Sequence, residues 1–188
     1  MNFKSLLTFA FAAAALSASA EAPYTYSVGD VVSANGKAYR VVSENIVENG
    51  DFTQGFTYWK AGDGSIIADG NFKILEGVAP NGGNALNGQK NEGGTKVGSI
   101  AHKINLENGK SYFVSLFANT NNGTWCRVNL NATDNASTAF ISKESMTQGG
   151  WCIYSGAYDC NADNQTIDFQ FAWLNTEAKF AYINLVEV

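Results

Sequence analysis

Ser111-Tyr112-Phe113-Val114-Ser115-Leu116-Phe117-Ala118-Asn119 has the period of a strand rather than of a helix. Successive side chains of a strand point to opposite faces. Tyr112, Val114, Leu116 and Ala118 then share one face, and Phe113, Ser115, Phe117 and Asn119 share the other. Two later stretches repeat the pattern. Cys126, Val128, Leu130 and Ala132 alternate with Arg127, Asn129, Asn131 and Thr133. Ile167, Phe169, Phe171 and Trp173 alternate with Thr166, Asp168, Gln170 and Ala172. Each strand offers one apolar face to a core. The opposite faces combine amides, Arg127, Asp168 and two phenylalanines.

Working outward, the rest of the chain reads as short strands divided by turn residues. Further candidates are Ile46–Val47, Gly64–Ala68, Asn71–Leu75, Val97–Ile104, Ala139–Ser142, Trp151–Tyr158 and Ala178–Val188. Between them lie Asp69-Gly70, Asn81-Gly82-Gly83-Asn84, Asn91-Glu92-Gly93-Gly94, Asn108-Gly109, Asn121-Asn122-Gly123 and Gly149-Gly150. Such residues tolerate positive φ and bond their own backbone. No segment carries a sustained 3.6-residue stripe. The expectation is an all-β, antiparallel sandwich. Ahead of it, Asn35-Gly36 divides two β-branched and aromatic runs, which predicts a small hairpin over residues 28–42. That hairpin either extends the sandwich or lies against it as a flap.

The start of the chain carries a different signal. Lys4 precedes an apolar run from Leu6 to Leu16, followed by Ala18-Ser19-Ala20. The run is short for a bilayer span and ends in small residues, so it reads as a cleavable signal peptide cut after Ala20. The expected location is secreted, periplasmic or cell-surface. Cutting 20 of 188 residues leaves one domain's worth of chain. No second apolar run of membrane length follows the signal. A net charge of −5 and the lack of a basic stripe argue against a nucleic-acid partner.

Cys126, Cys152 and Cys160 leave two readings open. Two of them pair in an oxidising compartment, or all serve as small buried apolar residues. Their spacing matches no zinc pattern.

The mixed second face points to sugars. A sugar ring shows hydroxyls at its edge and C–H groups on its face. Amides, carboxylates and Arg suit the edge, and aromatic rings suit the face. The candidate ligand-binding residues are Phe113, Phe117, Asn119, Trp125, Arg127, Asn129, Asn131, Trp151, Asp168 and Gln170. The alternative is that the hairpin or a loop covers Phe113 and Phe117. Trp125 and Trp151 begin strands and stand either at a cleft rim or in packing. Trp173 lies on a core face.

Catalysis finds little support. A glycosidase needs two positioned carboxyl groups, and Asp51, Asp63, Asp134, Asp159 and Asp168 show no motif pairing. His102 has no nucleophile motif near it and reads as a surface or satisfied strand residue.

Asn45-Ile46-Val47-Glu48-Asn49-Gly50-Asp51-Phe52-Thr53-Gln54-Gly55-Phe56-Thr57-Tyr58-Trp59 resembles the opening of the jelly-roll carbohydrate-binding modules attached to xylanases and cellulases. Gly109–Ala118, Trp151–Tyr154 and Phe180–Val186 resemble later strands of those modules, in the same order. The resemblance implies a galactose-binding-like jelly roll over residues 45–188, after a hairpin segment at 21–44 and a signal peptide at 1–20. It makes Trp59 a core plug. It implies a non-catalytic module that binds a polysaccharide or oligosaccharide. Such modules usually ride on a catalytic domain, so a separate glycan-degrading enzyme is an expected partner.

Modules of this kind often hold a structural calcium between the first turn and the last strand. Here the acid expected after the turn Phe is Thr53, and the paired acids near the end are Asn184 and Leu185. Glu48, Asp51 and Asn184 are the candidate ligands, though no cofactor is required. The rival reading on the same fold is a surface, structural or protein-interaction module without a sugar site.

Overall fold

The computed structural model describes residues 24–61, 72–88, 100–120, 124–130, 139–141, 150–173 and 177–188. For 124–130, 139–141 and 170–173 it describes the strand backbone alone. Residues 1–20, expected as a signal peptide, Asn131 and the strand expected at Gly64–Ala68 lie outside these residues.

Val31–Ala34 (β1) and Lys37–Arg40 (β2) pair as the expected antiparallel hairpin. Asn35 and Gly36 take φ of 52° and 74°, as a two-residue hairpin turn with the twist of its strands requires. The remaining strands are Lys60–Ala61 (β3), Phe72–Leu75 (β4), Ala85–Gly88 (β5), Ile100–Asn105 (β6), Ser111–Asn119 (β7), Thr124–Leu130 (β8), Ala139–Ile141 (β9), Trp151–Asp159 (β10), Thr166–Trp173 (β11) and Ala178–Glu187 (β12). They form two five-stranded antiparallel sheets, ordered β10-β7-β12-β5-β4 and β3-β6-β11-β8-β9. Chain neighbours repeatedly fall in opposite sheets, which is jelly-roll wiring.

The core lies between the sheets. Tyr112, Val114, Leu116 and Ala118 of β7 join Leu86, Phe180 and Leu185 from the first sheet and Ile100, Ile167 and Phe169 from the second. Burying a large apolar side chain contributes about 1.5–3 kcal/mol. The alternation that predicted these core faces is therefore the pattern the core uses.

Three segments differ from the sequence expectation, the first being β3, a two-residue strand paired with β6 where none was expected. Ala85–Gly88 reads as part of a turn-rich interval, yet all four residues are buried. It has neither β-branched nor aromatic residues. Its strand state comes from pairing on both sides, with β12 and with β4. Ile46–Val47 is no strand, although the Ile46 amide donates to Leu185 O at 2.8 Å.

A larger correction concerns the other face of β7. Phe113 and Phe117 are only 3% and 7% exposed, not displayed to solvent. The hairpin is a flap over Phe113, while Tyr24 ahead of it and residues of the sandwich itself cover Phe117. Tyr26, Val32, Ala34, Val41 and Val186 enclose Phe113, with the Tyr26 ring edge-on at 5.4 Å. Tyr24, Tyr182, Ala79, Ala85, Ala181 and Trp151 enclose Phe117. The flap is tied to the sandwich where the Val42 amide donates to Glu187 O at 2.9 Å. An aromatic pair on a strand face is a hydrophobic surface, and an apolar, β-branched hairpin is well suited to cover it even from a distant part of the chain.

His102 is also buried, at 9% exposure, rather than on the surface. It pairs with Phe169 and meets the Trp59 ring edge-on at 5.3 Å. Its Nε2 has no hydrogen-bond partner among the described residues. Burial pushes its pKa below the usual 6.5. The unfolded chain takes up this proton first as pH falls. Stability from the neutral ring is thus full above pH 6.5 and is lost as pH drops toward the lowered folded-state pKa, at up to about 1.4 kcal/mol per pH unit. Thermal melts between pH 7.5 and 5 should show that decline, and His102→Gln should flatten it.

Candidate functional site

Phe113 and Phe117 are covered on the first sheet, and the polar rows lie on the outer face of the second sheet. Strand register assembles it. Lys103, Asp168 and Asn129 stand side by side across β6, β11 and β8. The next row is Lys60, Ala101, Gln170 and Arg127, across β3, β6, β11 and β8. Beyond it Ala172 pairs with Trp125, and in the other direction Asn105 pairs with Thr166. These residues alternate with Ile100, Ile167 and Phe169, which are wholly buried in the core.

Five of the sequence candidates therefore occupy adjoining positions on one sheet face: Trp125, Arg127, Asn129, Asp168 and Gln170. Lys60, Lys103 and Asn105 are exposed there. Asp168 is only 5% exposed, and Thr166 only 7%. A carboxylate so little exposed has little water around it, which strengthens the hydrogen bonds it makes. Lys60 and Lys103 were missed as site residues. Alternation alone puts Lys103 opposite His102, but only cross-strand register sets it beside Asp168.

The remaining candidates fall elsewhere. Phe113 and Phe117 belong to the covered face of the first sheet. Asn119 ends β7, half-buried, paired with Trp151 of β10 and Lys179 of β12. Trp151 is half-buried against the Phe117 cluster. These four residues are separated in the fold from the polar rows. Cys160 carries a free buried thiol 3.3 Å from Gln165 Oε1, which suits the reading of a small buried residue.

A cavity of about 260 Å³ opens between the first turn and β12. Asn45, Asn49, Asp51, Gln54, Tyr182 and Asn184 line it, among others. This is the place where the resemblance puts a calcium ion. Of the expected ligands, Glu48 is exposed and does not line the cavity. Asp51 Oδ1 accepts from its own turn, from Thr53 N at 3.1 Å and Thr53 Oγ1 at 2.9 Å. Asn184 is 1% exposed, and its Nδ2 donates to Tyr24 O at 3.1 Å and Tyr182 O at 2.8 Å. Calcium wants six to eight oxygens with carboxylates among them. One engaged carboxylate and an inward amide hydrogen donor do not fit that demand. Among the described residues no group of three His, Cys, Asp or Glu stands together.

Known proteins give the fold and the family. The structure is similar to TmCBM61 in complex with beta-1,4-galactotriose, with 16% identity and a TM-score of 0.51, over 78% of this chain and 99% of that one. It is similar to the enzymatically active domain of bacteriophage CBA120 tailspike protein 4, with 9% identity and a TM-score of 0.54, over 77% of this chain and 21% of that one. A third likeness is to the CBM22-1-GH10 modules of a Clostridium thermocellum endo-1,4-beta-D-xylanase complexed with xylohexaose. It has 16% identity and a TM-score of 0.49, over 71% of this chain and 26% of that one. The chain thus spans about a quarter or less of the tailspike and xylanase chains. At such identities a structural likeness speaks for the fold alone. No curated protein sequence matches the chain. A family model described as "Carbohydrate binding domain" matches residues 44–176. That span begins at the first turn, takes in both sheets up to the end of β11, and leaves the flap outside: the chain belongs to the carbohydrate binding domain family.

Proposed function

We propose that this chain is an exported, non-catalytic protein that grips a polysaccharide or oligosaccharide on the outer face of its second sheet. Arg127, Asn129 and Gln170 supply hydrogen bonds to sugar hydroxyls, Trp125 supplies a ring for stacking, and the buried Asp168 stands in the row between them as a fixed negative charge. The observation that carries the reading is the register that sets Lys103–Asp168–Asn129 beside Lys60–Ala101–Gln170–Arg127. Adjoining rows of planar and charged groups match the repeat of hydroxyls along a glycan. The strands of this face present one carboxylate among the described residues, Asp168, whereas glycosidic cleavage takes two. A single carboxylate among the described residues of this face supports a reading of binding without bond-making. A protein of this kind serves glycan capture, alone or beside a separate degrading enzyme.

Calorimetry against a glycan panel tests the proposal. Arg127→Ala and Trp125→Ala should each weaken binding about tenfold, the loss of one charged hydrogen bond or one stacked ring worth roughly 1.5 kcal/mol. Phe117→Ala should lower the melting temperature and leave the affinity of the folded protein unchanged. Equal affinity in wild type and the two face variants would remove the site from this sheet. Silence across the whole panel would remove the sugar.

A further inference from the structure

Three segments meet beside the cavity at the first turn: the residue Tyr24 ahead of the flap, the turn Asn45–Thr53, and a bulge in β12. Across the bulge the register with β7 slips between Ala181 and Asn184, so that two residues of β12 oppose one of β7. Tyr182 takes a φ of +49° there, a region bulky residues rarely enter. Its hydroxyl donates to Pro80 O at 2.7 Å, which holds the ring in place.

Every backbone carbonyl named at this junction already has an N–H donor. Asn184 Nδ2 donates to Tyr24 O and Tyr182 O. Asn45 Nδ2 donates to Ile183 O at 3.2 Å. The Ile183 amide donates to Gly50 O at 2.9 Å. Asn45 Oδ1 in turn accepts from the amides of Val47 at 3.1 Å and Leu185 at 2.9 Å. A cation would gather carbonyl oxygens around its own charge. Here neutral amide hydrogens gather the same kind of oxygen.

We infer that the side-chain amide of Asn184, seconded by that of Asn45, ties these three segments together in place of a structural cation, so that the fold is independent of calcium. Two hydrogens on one nitrogen reach two chain segments, Tyr24 and Tyr182, that no local hydrogen bond would join. A carboxylate at position 184 would instead set its oxygen lone pairs against the two carbonyls. It would also join Asp51 at the same cavity, and only a cation would relieve that crowding.

The test is a set of thermal melts in EDTA and in CaCl2, with terbium luminescence as a second readout. A cation held at a hundred times its dissociation constant raises a melting temperature by roughly 5–10 °C in a domain of this size. Wild type is expected to melt at the same temperature in both buffers and to give no sensitised terbium emission. Asn184→Asp is expected to melt lower in EDTA, to recover in CaCl2 and to gain terbium emission. Asn184→Ala should melt lower in both. A wild-type melt that falls in EDTA, or wild-type terbium emission, overturns the inference. So does an Asn184→Asp protein that ignores CaCl2. If Asn184→Asp fails to fold without the ion, refolding in CaCl2 alone supports the inference, and refolding in neither overturns it.

Discussion

Trp59→Ala should lower the melting temperature by roughly 10 °C, the largest effect of any single truncation considered for this protein. Trp59 is 2% exposed and among the largest fully buried side chains. It fills the space where the first turn closes over the sandwich. Its ring lies 5.2 Å from Phe52 and 5.3 Å from His102. Its Nε1 donates to Asn49 O at 3.2 Å, so the indole also fastens the turn. Truncating a buried Trp costs about 3–5 kcal/mol, from lost transfer energy and the cavity left behind. Each kcal/mol moves the midpoint by about 2–4 °C at this size. Trp59→Phe should recover part of the loss by filling much of the space, while leaving Asn49 O without the indole donor. Differential scanning calorimetry on the three proteins reads both steps.

Gly50→Ala should destabilise by roughly 3 kcal/mol, far beyond what one methyl group normally does. A Cβ at Gly50 would stand 2.1 Å from Ile183 O and 3.1 Å from Ile183 C. Both are backbone atoms, so no rotamer change relieves the contact. The turn would have to lift off β12 and lose the hydrogen bond from Ile183 N to Gly50 O. Gly36→Ala makes a useful contrast. A Cβ there meets nothing within 4 Å, and the cost is only that of the positive φ of 74°. Urea unfolding of both variants should therefore rank Gly50→Ala well below Gly36→Ala. Equal losses would mean that the turn is not seated on β12 as described.

These two residues also mark how far the sequence could be read. Trp59 was legible, because a Trp after an Asn-Gly-Asp-Phe turn resembles a family feature and a large ring is worth burying. The closeness of Gly50 to Ile183 was not. It joins positions 50 and 183, and nothing local records that approach. Asn184 is similar. Its departure from an acid could be seen in the sequence, but the two carbonyls it serves could not.

Alternation along the strands from Ser111 and Thr166, with the turn residues between strands, determined the sandwich and, among the described residues, the apolar side chains these two strands give to the core. It did so because the side-chain period of a strand is two whatever the strand pairs with. The hairpin at Asn35-Gly36 was equally local, since its turn is specified by two residues that tolerate positive φ. The tertiary structure alone decided which outer face is covered. Phe113 and Phe117 and the row around Asp168 all lie opposite a core face, and one strand cannot tell its solvent side from its flap side. That choice was made where Tyr26, Val32 and Val41 met Phe113, about 70 residues or more away in the chain, because burying both apolar surfaces together removes more area from water than leaving either exposed.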